Sequence, residues 1–341
     1  MYTNSKTFSL NNCHPEFHSV ILSEAKDLTS NCHPERSEGS ILKMNLKNEN
    51  MKMLKGCGTA LITPFKNGAV DYDAFAALVD RQVAGGIDFL VPLGTTGETP
   101  CLTDDEKIRV LQIAKEHSNG LPVMAGVGTN CLEQTIANIQ LLEPHGVDYF
   151  LVVVPYYNKP PQEGMYQYYK AVAAATTKPI VLYNVPGRTG SNMTAETTLR
   201  LAQINNIVAV KEASSKREQI LEILKNRPEG FVVLSGNDDE TLDLMQNGAE
   251  GVISVASNIV PSMVVELTHA MLEGKTEEAQ KLHDTLTPLF RDCFIESNPI
   301  PTKAALSAMG YIENELRLPL VPASQSAYDQ MLGTIKDLGL L

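Results

Sequence analysis

Ile207-Val208-Ala209-Val210-Lys211 is a short apolar run that reads as a buried β-strand ending on an amine. An ammonium held among valines is stripped of water, so its pKa falls. A neutral lysine can then attack a ketone carbonyl at about pH 7. The competing reading is a strand-end lysine whose head snorkels to solvent. The segments on either side of this run weigh between the two.

From Gly58 onward, Val/Ile/Leu-rich runs alternate with amphipathic stretches. The runs predict strands at 58–62, 88–92, 122–126, 148–153, 179–183, 207–211, 231–235 and 251–254. Helical periodicity fills the gaps at 72–84, 103–118, 131–144, 162–176, 194–204, 216–226, 239–247 and 261–272. Thr103 with Glu106 forms a capping box, and Gly146, Gly230 and Gly248 follow helix ends. Eight consecutive β-α units predict an α/β fold, a closed (β/α)8 TIM barrel. A doubly wound open sheet is the rival, but no Gly-x-Gly-x-x-Gly stands at the first strand-helix turn. Beyond the eighth unit, patterns near 276–292, 299–309 and 324–337 predict a C-terminal helical appendage. The expected organisation is an extension over 1–52, the barrel over 53–273 and a helical region over 274–341.

The extension is foreign to this pattern. It is polar and aperiodic, and Asn12-Cys13-His14-Pro15-Glu16 returns as Asn31-Cys32-His33-Pro34-Glu35. Each Cys-His pair is adjacent, without the spacing of a chelating turn, so disorder is expected here in preference to a zinc site. Met44, Met51 and Met53 are candidate starts.

Twenty-eight Lys and Arg against forty Asp and Glu leave a net charge of −12, with no basic cluster, so nucleic acid is not an expected partner. An anionic substrate would need a local cation, for which Arg188 is the candidate. Cys13, Cys32, Cys57, Cys101, Cys131 and Cys293 are scattered with no Cys-x-x-Cys, as expected of reduced thiols in a cytoplasmic protein. The apolar runs are too short to span a bilayer, so no membrane partner is expected.

In a closed parallel barrel, chemistry sits at the carboxyl ends of the strands. After the second strand comes Gly94-Thr95-Thr96-Gly97-Glu98, whose backbone N–H groups and two hydroxyls suit a carboxylate or a proton relay. Pro155-Tyr156-Tyr157-Asn158 follows the fourth strand, and Tyr183-Asn184-Val185-Pro186-Gly187-Arg188-Thr189 ends the fifth, offering a phenol and a guanidinium. Lys211 ends the sixth, Ser235-Gly236-Asn237-Asp238-Asp239 the seventh, and Gly251-Val252-Ile253-Ser254 forms the eighth. Histidine is absent from these loops: His117, His145, His269 and His283 lie on predicted helices or at their ends. An amine, phenols and hydroxyls are the kit for imine formation with proton relay, with no metal required. Glu212 must face away from Lys211 and is expected to support the barrel.

Taken together, these motifs resemble the dihydrodipicolinate synthase family of pyruvate-dependent class I aldolases, from about Leu54 to the C-terminus. The resemblance implies that Lys211 forms a Schiff base with pyruvate and that Thr96, the Ile253 backbone and Gly236 bind substrate. It implies Tyr183 as proton donor and acceptor, with Thr95 and Tyr157 completing a hydroxyl relay, Tyr157 reaching in from a neighbouring subunit. Arg188 would orient the carboxylate of the second substrate, L-aspartate 4-semialdehyde. No cofactor beyond the covalent pyruvate imine is implied, and the common family assembly is a homotetramer, a dimer of dimers. The rival within the fold is a pyruvate-dependent aldolase acting on N-acetylneuraminate or a 2-keto-3-deoxy sugar acid. A small-molecule sensor that kept the barrel would have lost a catalytic group, whereas the lysine, tyrosines and threonines are all present. Relatives inhibited by lysine use histidine and glutamate in an allosteric cleft; here the matching stretches read Asp104-Asp105-Glu106-Lys107 and Asn130 to Gln134. Lys107 would repel an ammonium, so weak or absent lysine inhibition is expected.

Overall fold

The computed structural model describes residues 54–341. The predicted extension, its repeat and its Cys-His pairs lie outside the described residues. Eight barrel strands follow in order: β1 (Gly56–Ala60), β2 (Phe89–Val91), β3 (Met124–Gly126), β4 (Tyr149–Val153), β5 (Ile180–Asn184), β6 (Ile207–Glu212), β7 (Val232–Ser235) and β8 (Gly251–Ser254). Every neighbouring pair is parallel, in the order β2-β1-β8-β7-β6-β5-β4-β3. A parallel bridge between Leu90 and Val123, with Leu90 N–H donating to Pro122 O at 2.9 Å, joins the last two strands. The sheet is thereby closed as a (β/α)8 TIM barrel.

The helices alternate with the strands: α1 (Tyr72–Ala84), α2 (Asp104–Glu116), α3 (Leu132–Leu142), α4 (Gln162–Ala174), α5 (Ala195–Leu201), α6 (Arg217–Asn226), α7 (Thr241–Gln246) and α8 (Pro261–Leu272). The capping box at α2 is present, Thr103 Oγ1 accepting from Glu106 N–H and Glu106 Oε2 from Thr103 N–H. Three helices are shorter than their periodicity predicts, for local reasons. Pro144 has no N–H to continue α3, so Glu143–His145 tightens into a 3₁₀ turn that Gly146 ends at φ +89°. Ile204 N–H closes on Leu201 O and ends α5 in a turn. The predicted start of α7 is a separate 3₁₀ turn, Asp238–Glu240.

The barrel lumen is filled by Ala60, Phe89, Val91, Met124, Leu151, Val181, Ala209, Leu234, Ile253 and neighbours, while a larger apolar layer lies between strands and helices. Burying these side chains contributes roughly 1.5–3 kcal/mol for each large residue. Alternation along β5 sends Val181 and Tyr183 into the lumen, and Ile180 and Leu182 to the outer layer. Along β6 the ladder slips between the pairs Ile180–Ile207 and Val181–Ala209. Val208 is the extra residue of a bulge, which sets Ala209 and Lys211 in phase with Val181 and Tyr183.

After α8 come α9 (Thr276–Asp292), α10 (Ile300–Ala308) and α11 (Gln325–Asp337). They form the expected C-terminal helical appendage, and it packs back onto the barrel. Lys303 on α10 reaches back to Glu98 after β2, forming an ion pair at 2.6 Å in which both side chains are fully buried. Glu98 also accepts the Arg317 N–H at 3.1 Å, and both cations lie over the Phe65 ring. Among the described residues no helix is long and apolar enough to cross a membrane.

Candidate active site

Lys211 and Tyr183 are register partners on β6 and β5, and the Lys211 ammonium nitrogen lies 4.4 Å from the centre of the Tyr183 ring. Both are buried. Burial brings the Lys211 pKa down to about 7; the Asp238 carboxylate opposes the shift and the Arg188 charge adds to it. Desolvation raises the Tyr183 phenol, partly offset by Arg188 and by hydrogen bonding with Thr95. The amine is therefore poised between its two forms while the phenol keeps its proton.

Behind the strand, Glu212 faces the helices, as alternation requires. It is fully buried, accepts from Asn184 Nδ2 at 2.6 Å and Gln219 Nε2 at 3.2 Å, and is pushed up to about 7 by desolvation. Its contacts tie β5, β6 and α6 together.

Around the amine, Gly236 N–H donates to Glu212 O at 2.7 Å. A Cβ at Gly236 would stand 3.0 Å from Lys211 Cε and 2.7 Å from Ala213 Cβ, so any larger residue would press on the lysine. Ile253 lies in the same lumen cluster as Tyr183. Asp238 is buried, its Oδ2 accepting the N–H groups of Val255 and Ala256 at 2.9 and 3.1 Å.

In the loop after β2, Gly97 and Glu98 N–H groups close on Gly94 and Thr95 carbonyls, each at 3.1 Å. Those two amides are used inside the turn, leaving the threonine hydroxyls as the loop's side-chain contribution. Thr95 is exposed and interacts with Tyr183, whereas Thr96 is buried and its Oγ1 accepts from Asn298 Nδ2 at 2.8 Å. Arg188 sits on a one-turn helix, Pro186–Thr189, with its Nη2 3.5 Å from Asn298 O. Five of the eight sequence-predicted residues thus interact with one another, Lys211, Tyr183, Thr95, Arg188 and Gly236, while Ile253 shares the lumen cluster of Tyr183. Thr96 joins them through Asn298.

Tyr157 is not gathered in. Its ring is 86 % exposed, its φ is +71°, and its N–H donates to Thr189 O at 3.3 Å. Asn298, Asp238 and the Glu98–Lys303 pair were not singled out by the sequence. The one signal for Asn298 is its setting, a polar residue before Pro299-Ile300-Pro301. Among the described residues no group of three or more His, Cys, Asp and Glu is gathered as a metal site.

Comparison with known proteins matches the dihydrodipicolinate synthetase family over residues 53–338. The chain belongs to that family. It is 47% identical over 294 residues to the 4-hydroxy-tetrahydrodipicolinate synthase of Thermotoga neapolitana, covering 85% of this chain and 100% of that one. To the enzyme of the same name from Phocaeicola vulgatus it is 50% identical over 288 residues, with 84% and 97% covered. The crystal structure of dihydrodipicolinate synthase from Thermotoga maritima aligns with a TM-score of 0.83 at 45% identity, covering 85% of this chain and 100% of that one. The dihydrodipicolinate synthetase family match therefore spans the barrel and the C-terminal helices alike.

Proposed function

We propose that this family member is a lyase that condenses pyruvate with L-aspartate 4-semialdehyde, the 4-hydroxy-tetrahydrodipicolinate synthase reaction, in the diaminopimelate route to L-lysine. The observation that carries this reading is a desolvated Lys211 amine, pKa about 7, against the Tyr183 phenol at the carboxyl end of a barrel strand. The neutral amine adds to the pyruvate carbonyl carbon, and water leaves as the imine forms. Loss of a proton from the methyl carbon gives the enamine. That carbon attacks the aldehyde, whose oxygen takes up a proton. The amino group of the semialdehyde then adds to the imine carbon, closing the ring and expelling Lys211.

Tyr183 and Thr95 move these protons, a task that needs no metal. Thr96, Gly236 and the Ile253 backbone bound the pyruvate pocket, and Arg188 holds the carboxylate of the semialdehyde by charge-assisted hydrogen bonds. The exposure of Tyr157 supports a relay completed by a neighbouring subunit, as in a homotetramer built as a dimer of dimers. The free thiols Cys57, Cys101, Cys131 and Cys293 support a cytoplasmic setting.

Pyruvate consumption by the purified chain, with and without L-aspartate 4-semialdehyde, tests the reading, with N-acetylneuraminate cleavage as the control. Semialdehyde-dependent consumption is expected. Neuraminate cleavage without it would move the chain to the sugar-acid aldolases.

A further inference from the structure

Asn298 touches two groups that come from opposite sides of the barrel mouth. Its side-chain Nδ2 donates to Thr96 Oγ1 at 2.8 Å, and its main-chain carbonyl lies 3.5 Å from Arg188 Nη2. The residue is 4% exposed, so neither contact is a surface accident. The amide oxygen is turned the other way, to Thr302 Oγ1 at 3.5 Å, which leaves the N–H side for Thr96. Three residues into α10, the buried Lys303–Glu98 pair fixes the other end of the same Thr-Thr-Gly-Glu loop.

A hydroxyl has one proton and two lone pairs. Because Asn298 occupies a lone pair of Thr96 as a donor, the Thr96 proton is left to be given elsewhere. An anion seated in the lumen is the acceptor such an arrangement favours. We propose that Asn298 is a positioning residue of the condensation: it sets Thr96 as a hydrogen-bond donor to the pyruvate carboxylate and steadies Arg188 for the second substrate. This rests on the function proposed above. It also makes the C-terminal helical region part of the active site, because the residue that links the two carboxylate-binding groups enters from outside the barrel.

The test is a double-mutant cycle with Asn298→Ala and Thr96→Val, read by the pyruvate concentration that half-saturates borohydride trapping on Lys211 and by KM and kcat for both substrates. Asn298→Ala is expected to raise the half-saturating pyruvate concentration about tenfold, as for a lost hydrogen bond to a charged group. It is expected to add nothing further in the Thr96→Val background. Asn298→Asp keeps the volume but replaces the donor by an acceptor, so it should draw the Thr96 proton away and weaken pyruvate at least as much. It carries the same cycle should the alanine variant not fold. The backbone carbonyl survives both substitutions, so KM for the semialdehyde should move less than KM for pyruvate.

Independent, multiplying effects of the two substitutions, or a loss of kcat and melting temperature with pyruvate saturation unchanged, would overturn the proposal. Trapping requires no second substrate. Loss of the condensation reading would therefore show as normal trapping without semialdehyde turnover, distinct from failure of the inference about Asn298.

Discussion

The two ends of the barrel treat their charges in opposite ways. At the amino-terminal end, Asp88, Asp148 and Glu250 each stand just before a strand and accept an N–H near the start of its neighbour. The donors are Cys57 at 2.7 Å, Val123 at 2.9 Å and Val233 at 2.9 Å. Each acid also has a basic partner: His269 at 3.0 Å, Lys115 at 2.7 Å and Arg227 at 2.7 Å. At the carboxyl end, Lys211 is buried against a phenol, Arg188 is exposed, and Asp238 Oδ1 has no hydrogen-bond partner among the described residues. One end satisfies its polar groups internally and so holds strands in register. The other also pairs Glu98 with Lys303 internally, but it leaves Lys211 and Arg188 without an ion-pair partner among the described residues, as the proposed site for anionic substrates requires.

If that contrast is right, mutations at the carboxyl end should remove function without removing stability. Lys211→Ala is the largest case: borohydride should no longer fix pyruvate and turnover should fall to background. The variant should melt close to wild type, because relieving the desolvated amine offsets the loss of its buried methylenes. Mass spectrometry of the trapped adduct checks the site, and pyruvate fixed at another lysine would refute the assignment. Arg188→Ala should retain trapping yet lose condensation about a hundredfold, as for removal of a single preorganised charge-stabilising donor. Unchanged turnover would take Arg188 out of the site.

The pH dependence separates Lys211 from the carboxyl behind it. Nucleophilic attack needs the neutral amine, and the folded pKa of Lys211 is about 7. Imine formation should therefore be flat above that value and fall about tenfold per unit below it, where the amine is protonated. Glu212 titrates in the same range, at about 7, but faces the helices. Rapid-quench trapping across pH 5–9 should give the same inflection in Glu212→Gln as in wild type. An inflection that vanished with Glu212 would assign the titration to the wrong side of β6.

The converse prediction belongs to the amino-terminal end. Glu250→Ala leaves Val233 N–H without its side-chain acceptor and Arg227 without its carboxylate, costing about 1–3 kcal/mol of stability. Denaturant midpoints should fall while kcat stays at the wild-type value. A fall in kcat with unchanged stability would erase the distinction between the two ends.

What the sequence disclosed follows the range of the interactions involved. Alternation and apolar runs are local, so eight strands and the tyrosine and lysine at the ends of the fifth and sixth were legible from residues a few positions apart. The bulge at Val208 was not, because register depends on the partner strand; strict alternation would have grouped Ile207 with Ala209. Asn298 meets Thr96 across 202 positions, and no nearby pattern marks it as other than a linker residue. Asp238 is one of three consecutive acids, Asp238-Asp239-Glu240, and burial alone singles it out. One signal stood in plain view: Gly86-Ile87-Asp88-Phe89-Leu90-Val91 is echoed by Gly146-Val147-Asp148-Tyr149-Phe150-Leu151-Val152. Two of the acids that lock the amino-terminal end sit in this echo.

The smallest expected effect concerns free lysine. An amino acid binding near the Thr-Thr loop would need a carboxylate free to receive its ammonium. Asp104 already accepts from Lys107 Nζ at 2.9 Å, and Lys107 itself adds a positive charge. Gln134 is neutral and donates to Asn138 at 3.2 Å, while Asn130 O is engaged by Asn158 Nδ2 at 2.9 Å. Asp105 and Glu133 remain exposed on this outer surface, so the expectation rests on the positive charge that Lys107 adds beside Asp104. Activity titrated with L-lysine into the millimolar range should remain near its starting value. Strong inhibition would mean that lysine displaces Lys107 from Asp104, and Lys107→Ala should then increase the inhibition further.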